Sequence, residues 1–193
     1  MRLSRLLAVA IAAAAFAAVA PSANAASDYF LKVDGITGDT VQTGLTGYID
    51  IDTFKWSTEQ LATISTTGGM TAGKAQFNEL EVTKPVDTTT PLLFQKLASG
   101  QVINTVEVLA RKTATAPYLR YCFQKVLISK QEQAGDDDMP RETLNFRFIA
   151  GGQQVTRQNA DGTMGASVFG GWDLRTNSLI QSAAAQPSTC SRA

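Results

Sequence analysis

The sequence predicts a mainly β protein, an antiparallel barrel or sandwich carrying one short helix. Three observations predict it. Seven or eight stretches alternate apolar and polar residues with period two. Beyond the N-terminal leader, only one stretch carries mutually consistent helix signals. Several strands also change their apolar face midway, as strands do when they bulge or bend from one sheet into another.

Residues 1–25 read as a cleaved secretory leader and stand outside the fold. Arg2 and Arg5 form a basic n-region, 6–20 is an Ala-rich apolar run, and Ala23-Asn24-Ala25 places small residues at −3 and −1. The run is shorter than the ~20 residues that span a bilayer. Cleavage after Ala25 leaves 168 of the 193 residues: one domain over 26–181 and a small-residue tail over 182–193 that is expected to fray. Without the leader the chain carries 15 Lys+Arg against 17 Asp+Glu, so charge gives no reason to bind nucleic acid or anionic lipid. No membrane span is expected after cleavage, and the mature protein is expected to be soluble, secreted or periplasmic.

The first strand covers 28–33, with Tyr29, Leu31 and Val33 on one face. Asp34-Gly35 marks a turn, and the Gly/Thr-rich 36–47 reads as a long loop. In the second strand, 48–56, Ile49 and Ile51 share one face while Phe54 and Trp56 share the other. That slip predicts a bulge near Asp52-Thr53 or a bend between sheets. Ser57-Thr58-Glu59-Gln60 resembles a capping box and predicts a short helix to Ile64, with an extended continuation as the competing reading. A loop containing Gly68-Gly69 follows. A strand over 74–83 then slips phase from Ala75 and Phe77 to Leu80 and Val82.

The helix is expected over 91–99. Thr90 is its N-cap, Pro91 fits N1 and Gly100 suits a left-handed C′ position. Leu92, Leu93 and Leu97 form its apolar stripe, with Phe94 and Ala98 beside it. At about two and a half turns it is too short to stand alone and must dock on a sheet.

Val106, Val108 and Ala110 alternate with Thr105, Glu107, Leu109 and Arg111. The longest strand candidate, 118–129, switches from a Leu119, Tyr121, Phe123 face to a Val126, Ile128 face. Residues 131–140 read as a polar connection. Leu144, Phe146 and Phe148 give the cleanest alternation, 155–158 continues it, Asp161-Gly162 is a turn, and 167–174 is a last strand.

Candidate chemistry is sparse. Histidine is absent, which removes Ser-His-Asp and Cys-His catalysis and the commonest zinc ligand. Asp136-Asp137-Asp138 lacks the spaced ligands of an EF-hand loop and reads as a solvated tip. The stretch from Gly68 to Lys74 ends in Gly-Lys, but Ala75 stands where a phosphate loop needs Ser or Thr, and a strand follows. Asp50 and Asp52 share a strand face as exposed acids. Trp56 and Trp172 read as core or interface aromatics. No catalytic residue, cofactor or metal site is expected, so the chain reads as non-enzymatic. Cys122 and Cys190 are the only cysteines. A disulfide between them, worth ~4 kcal/mol on the chain-entropy model, and two free thiols are both open.

The ordered set of motifs resembles the Hcp (haemolysin-coregulated protein) family, whose members form the inner tube of the type VI secretion system. Asp28-Tyr29-Phe30-Leu31-Lys32-Val33-Asp34-Gly35-Ile36-Thr37-Gly38-Asp39 is similar to the family's opening strand and turn. Ile49-Asp50-Ile51-Asp52-Thr53-Phe54-Lys55-Trp56-Ser57 is similar to its second strand, with Ser57 where Gly is usual. Val82-Thr83-Lys84, Asp87 and Thr90-Pro91-Leu92-Leu93 resemble the passage into its helix, which Ala98-Ser99-Gly100 closes. Ala110-Arg111-Lys112, Tyr118-Leu119, Val126-Leu127-Ile128-Ser129 and Glu142-Thr143-Leu144-Asn145-Phe146 continue the match. The resemblance implies a small β-barrel of two sheets with one flanking helix, homohexameric rings that stack into a tube, and effector proteins as cargo. Family members act by assembly and contact, and a tube subunit assembles in the cytosol, so the leader sets this chain apart. The competing reading is a secreted monomeric β-barrel binding module.

Overall fold

In the computed structural model the described residues are 27–180, apart from 65, 67, 113–115, 136–138, 160 and 162. The leader, the Asp136-Asp137-Asp138 run, Gly162, Cys190 and the tail at 182–193 lie outside the described residues. The strands before the helix are β1 (Ser27–Val33), β2 (Ile49–Ile51), β3 (Thr53–Lys55), β4 (Thr58–Glu59), β5 (Ala62–Ile64), β6 (Met70–Ala72), β7 (Gln76–Phe77) and β8 (Leu80–Pro85). Helix α1 (Thr90–Ser99) precedes β9 (Ile103–Lys112), β10 (Leu119–Ala134), β11 (Arg141–Arg147), β12 (Ala150–Gln158), β13 (Met164–Asp173) and β14 (Ser178–Ile180).

All pairings are antiparallel. One sheet runs β2-β1-β9-β10-β12-β13-β14, and the other runs β10-β11-β8-β3. Two strands turn the corners between them. Residues 49–55 pair with β1 as far as Ile51 and with β8 from Thr53, bending at Asp52. β10 pairs with β12 through Gln124, with β9 through Val126 and with β11 from Leu127. Lys125 at that corner has φ 51°, a left-handed backbone uncommon outside glycine. Two of the three phase slips read from the sequence are these corners; the third, within 74–83, falls at the break between β7 and β8. The barrel thus takes the form of two antiparallel sheets joined at two corners. Between them pack Leu31, Ile49, Val82, Val108, Phe123 and Phe146, all buried.

The loop over 36–47 covers part of the first sheet's outer face, where Leu45 packs with Phe30 and Leu109. Arg111 pins it by donating to the Thr43 carbonyl at 3.0 Å and to Gln42 Oε1 at 2.9 Å. Gly38 is required there: a Cβ would stand 2.0 Å from the Tyr48 carbonyl oxygen.

Three expectations are corrected. The Ser57-Thr58-Glu59-Gln60 run starts no helix. Instead β4 pairs with β7 and β5 with β6, building an extended arm over 56–79, the competing reading. The would-be capping side chains are used across the arm, since the Asn78 amide donates to Ser57 Oγ at 2.9 Å and Glu59 Oε1 at 3.0 Å. Residues 131–134 continue β10 instead of forming a polar connection, because β11 offers a full ladder of partners. At the helix, Thr89 takes the N-cap position, and no side chain caps it. Pro91 lies in the first turn as expected. Gly100 at φ 62° closes the helix, its N–H reaching the Leu97 carbonyl at 3.0 Å. Of the expected apolar stripe only Leu93 is buried, with Leu97 packed against the core, while Leu92 and Phe94 face solvent. Among the described residues no helix is long and apolar enough to cross a membrane.

Candidate assembly surfaces

Those residues weighed for chemistry that fall among the described ones are dispersed along the fold. Asp50 accepts from Thr40 Oγ1 at 3.0 Å, and Asp52 pairs with Arg141. Trp56 sits edge-on to Phe123 at 5.3 Å and to Tyr121 at 5.5 Å, anchoring the root of the arm to the core. Trp172 is half-buried on β13 opposite Gly151. The Gly68–Lys74 stretch runs from the turn at the end of the arm, where Gly68 has φ 94°, through β6. Cys122 is buried on β10, whereas Cys190 lies outside the described residues.

Sequence reading missed a buried ionic junction. Lys84 and Glu142 are cross-strand partners on β8 and β11, and both are fully buried. The Lys84 ammonium donates to Asp87 Oδ1, Glu142 Oε1 and the Pro85 carbonyl, each at 2.8 Å, so its three donors are satisfied. The Thr90 hydroxyl donates to Glu142 Oε1 at 2.6 Å, and Gln131 Nε2 donates to Glu142 Oε2 at 2.5 Å. The start of α1 is thereby tied to three strands. Burial would raise the Asp87 carboxyl, but hydrogen bonds from Lys84 and Thr89 outweigh it and hold it below the ordinary range. The signal was present in the sequence: Lys84 lies in phase with Leu80 and Val82, and Glu142 in phase with Leu144 and Phe146.

A second junction lies on the outer face of the first sheet. Glu107 is held by Arg120 Nε at 2.9 Å and by the Tyr48 hydroxyl at 3.0 Å. Here burial prevails and pushes the Glu107 carboxyl up, with Arg120 and Tyr48 offsetting it only in part. Burial, then the charge of Glu107, drives the Tyr48 phenol well up. Both junctions pair their charges within the subunit, while Gln131 Oε1 in the first and Glu107 Oε1 in the second are buried without a hydrogen-bond partner.

What remains open is apolar surface. On the arm, Leu61, Ile64 and Met70 are 62%, 74% and 72% exposed. The second patch belongs to the wing that β12, β13 and β14 add to the first sheet. Val155 is the register partner of both Leu119 and Val168, and Leu179 is the partner of Trp172. These residues continue the core-facing side of the sheet beyond the point where the second sheet covers it, and Val168 is 74% exposed. An apolar sheet face normally packs on a second layer.

A family model described as "Type VI secretion system effector, Hcp" matches residues 30–156. The chain belongs to the Hcp family. No curated protein matches it. Among solved structures it is similar to a type six secretion system protein, with 27% identity and a TM-score of 0.75 over 80% of this chain and 99% of that one. It is similar to Hcp1 from Salmonella typhimurium at 27% identity and a TM-score of 0.69, over the same shares of the two chains. A type VI secretion system effector from Yersinia pestis shares the fold at 24% identity, with a TM-score of 0.63, over 76% of this chain and 99% of that one. Hcp membership assigns a structural role within type VI secretion; the arm patch lies within the matched residues, whereas Val168 and Leu179 lie beyond them.

Proposed function

We propose that this Hcp-family chain is an exported, non-enzymatic subunit that self-associates into hexameric rings, working by assembly and contact and carrying effector proteins within the assembly. The observation that supports the reading is the uncovered apolar side of the wing around Val155, Val168 and Leu179. A second copy would supply the missing layer. The leader at 1–25 would deliver the mature chain to the periplasm or the medium.

Light scattering and negative-stain imaging of the mature protein test this reading. A mass of six subunits with ring-shaped particles is expected, and Val168→Glu is expected to shift the mass to one subunit without unfolding. A monomer at micromolar concentration overturns it. Finding residues 1–25 intact on protein recovered from the medium overturns the leader.

A further inference from the structure

We propose that Met70 is a modification site: a peroxide oxidises its thioether to the sulfoxide, and the change weakens the association of one copy with another through the arm. The proposal rests on the self-association reading above. It adds a chemical control that neither that reading nor the family match assigns.

The register of the arm gives Met70 its place on an apolar face. β5 and β6 pair Ile64 with Met70, Thr63 with Thr71 and Ala62 with Ala72. Directly opposed residues point to the same side of a ribbon, and successive residues point to opposite sides. Ala62, Ile64, Met70 and Ala72 therefore share one face, and Thr63 and Thr71 share the other. The two strands form a sheet of their own, and all six of these residues are exposed. A lone pair of strands has no second layer in the subunit to cover its apolar side. From Leu61 to Gly73 the chain carries no charged residue, so no like-charge repulsion opposes a second copy laid against this face.

Met70 is 72% exposed, which opens its sulfur to a small oxidant in solution. The other methionines stand elsewhere. Met1 belongs to the leader, Met139 lies in the bend just before β11, and Met164 is half-buried on β13. Met139 is open to oxidant as well, at 60% exposure, but it is no part of the arm.

With hydrogen peroxide the step is an oxygen transfer. The thioether sulfur attacks one peroxide oxygen, the S–O bond forms and the O–O bond breaks. The departing hydroxide takes the proton shed by the transferred oxygen and leaves as water. Sulfur loses two electrons and the peroxide gains them. The product carries a polar oxygen on what was an apolar side chain, and a thiol-dependent sulfoxide reductase reverses it. Burying that oxygen against a second copy without a donor is expected to weaken association about tenfold.

The test treats the mature protein with hydrogen peroxide, maps it with trypsin and follows assembly by sedimentation velocity. The 56–74 peptide, whose only methionine is Met70, is expected to gain one oxygen. Association should weaken about tenfold in step with that gain and return after treatment with methionine sulfoxide reductase. Met70→Leu keeps an apolar side chain, so it should associate like the parent and hold that association through peroxide. An equal loss in Met70→Leu overturns the proposal, because the effect then lies at another residue. Protein with an oxidised 56–74 peptide that associates like the untreated parent overturns it too, and so does a 56–74 peptide that takes up no oxygen while Met139 does. A parent that is monomeric before any peroxide is added overturns the self-association reading, and this proposal with it.

Discussion

The start of α1 and the arm at 56–79 both grow from short segments rich in Thr, Ser and charge, yet they end in opposite states. At the helix, Lys84, Thr90 and Glu142 are withdrawn from water and satisfy one another. On the arm the pairing of β4 with β7 and of β5 with β6 satisfies the backbone, while Leu61, Ile64 and Met70 stay in solvent. A buried charge is tolerable only when every partner is present, so the helix junction must be complete within one subunit. An exposed apolar group carries no such demand, and the arm can wait for a partner. The junction fixes the body, and the arm is free to serve contact.

The sharpest way to break this contrast is Lys84→Met. It strands Asp87 and Glu142 without their cation and is expected to cost about 3–5 kcal/mol in urea unfolding. Adding Glu142→Leu to Lys84→Met should restore part of that loss, because the uncompensated carboxylate disappears. Strictly additive losses would show that the two side chains do not act as a pair. Thr90→Val is the milder change: it deletes the hydroxyl that donates to Glu142 and should cost about 1–3 kcal/mol.

Acid should act on the junction too. Asp87 is held below its ordinary value, so its contribution is fully present above the unfolded value of about 4 and is lost as pH falls through the lower folded value. Stability of the folded chain should therefore drop as pH falls below about 4. Asp87→Asn should flatten that part of the profile, and an unchanged slope in the variant would remove Asp87 from the cause. Glu107 runs the other way. Its folded value is raised, so its contribution is present below the unfolded value and fades as pH rises through the folded one.

Much of the body was legible because period-two patterns survive in strands with one apolar face. Two of the three phase slips located the corners, at Asp52 and Lys125, the third marked the break between β7 and β8, and Pro91 and Gly100 bracketed the helix. The arm was misread because a capping box is a local pattern, and Ser57 and Glu59 satisfy Asn78 across the arm just as well. The buried ion pair was hidden by the habit of reading every Lys and Glu as solvent-facing, although Lys84 and Glu142 keep the phase of their apolar neighbours. The wing could not be read as a surface at all. Val155 and Val168 alternate like core residues, and only the three-dimensional extent of the second sheet shows that it stops short of covering them among the described residues.

The smallest expected effect on stability falls on the arm. Replacing Leu61, Ile64 and Met70 together by Ser removes exposed apolar surface and breaks no described side-chain hydrogen bond, so the midpoint of urea unfolding should stay within about 0.5 kcal/mol per site. Contact is where the loss should appear. If the arm serves association, this variant should assemble more weakly than the parent at equal concentration in sedimentation velocity, while Lys84→Met, at temperatures where it remains folded, should still assemble. A triple variant that associates like the parent would assign the contact to the wing around Val168 and leave the arm without a role in it. A triple variant that unfolds early would mean the arm's apolar side chains support the subunit itself, and the contrast with the helix junction would collapse.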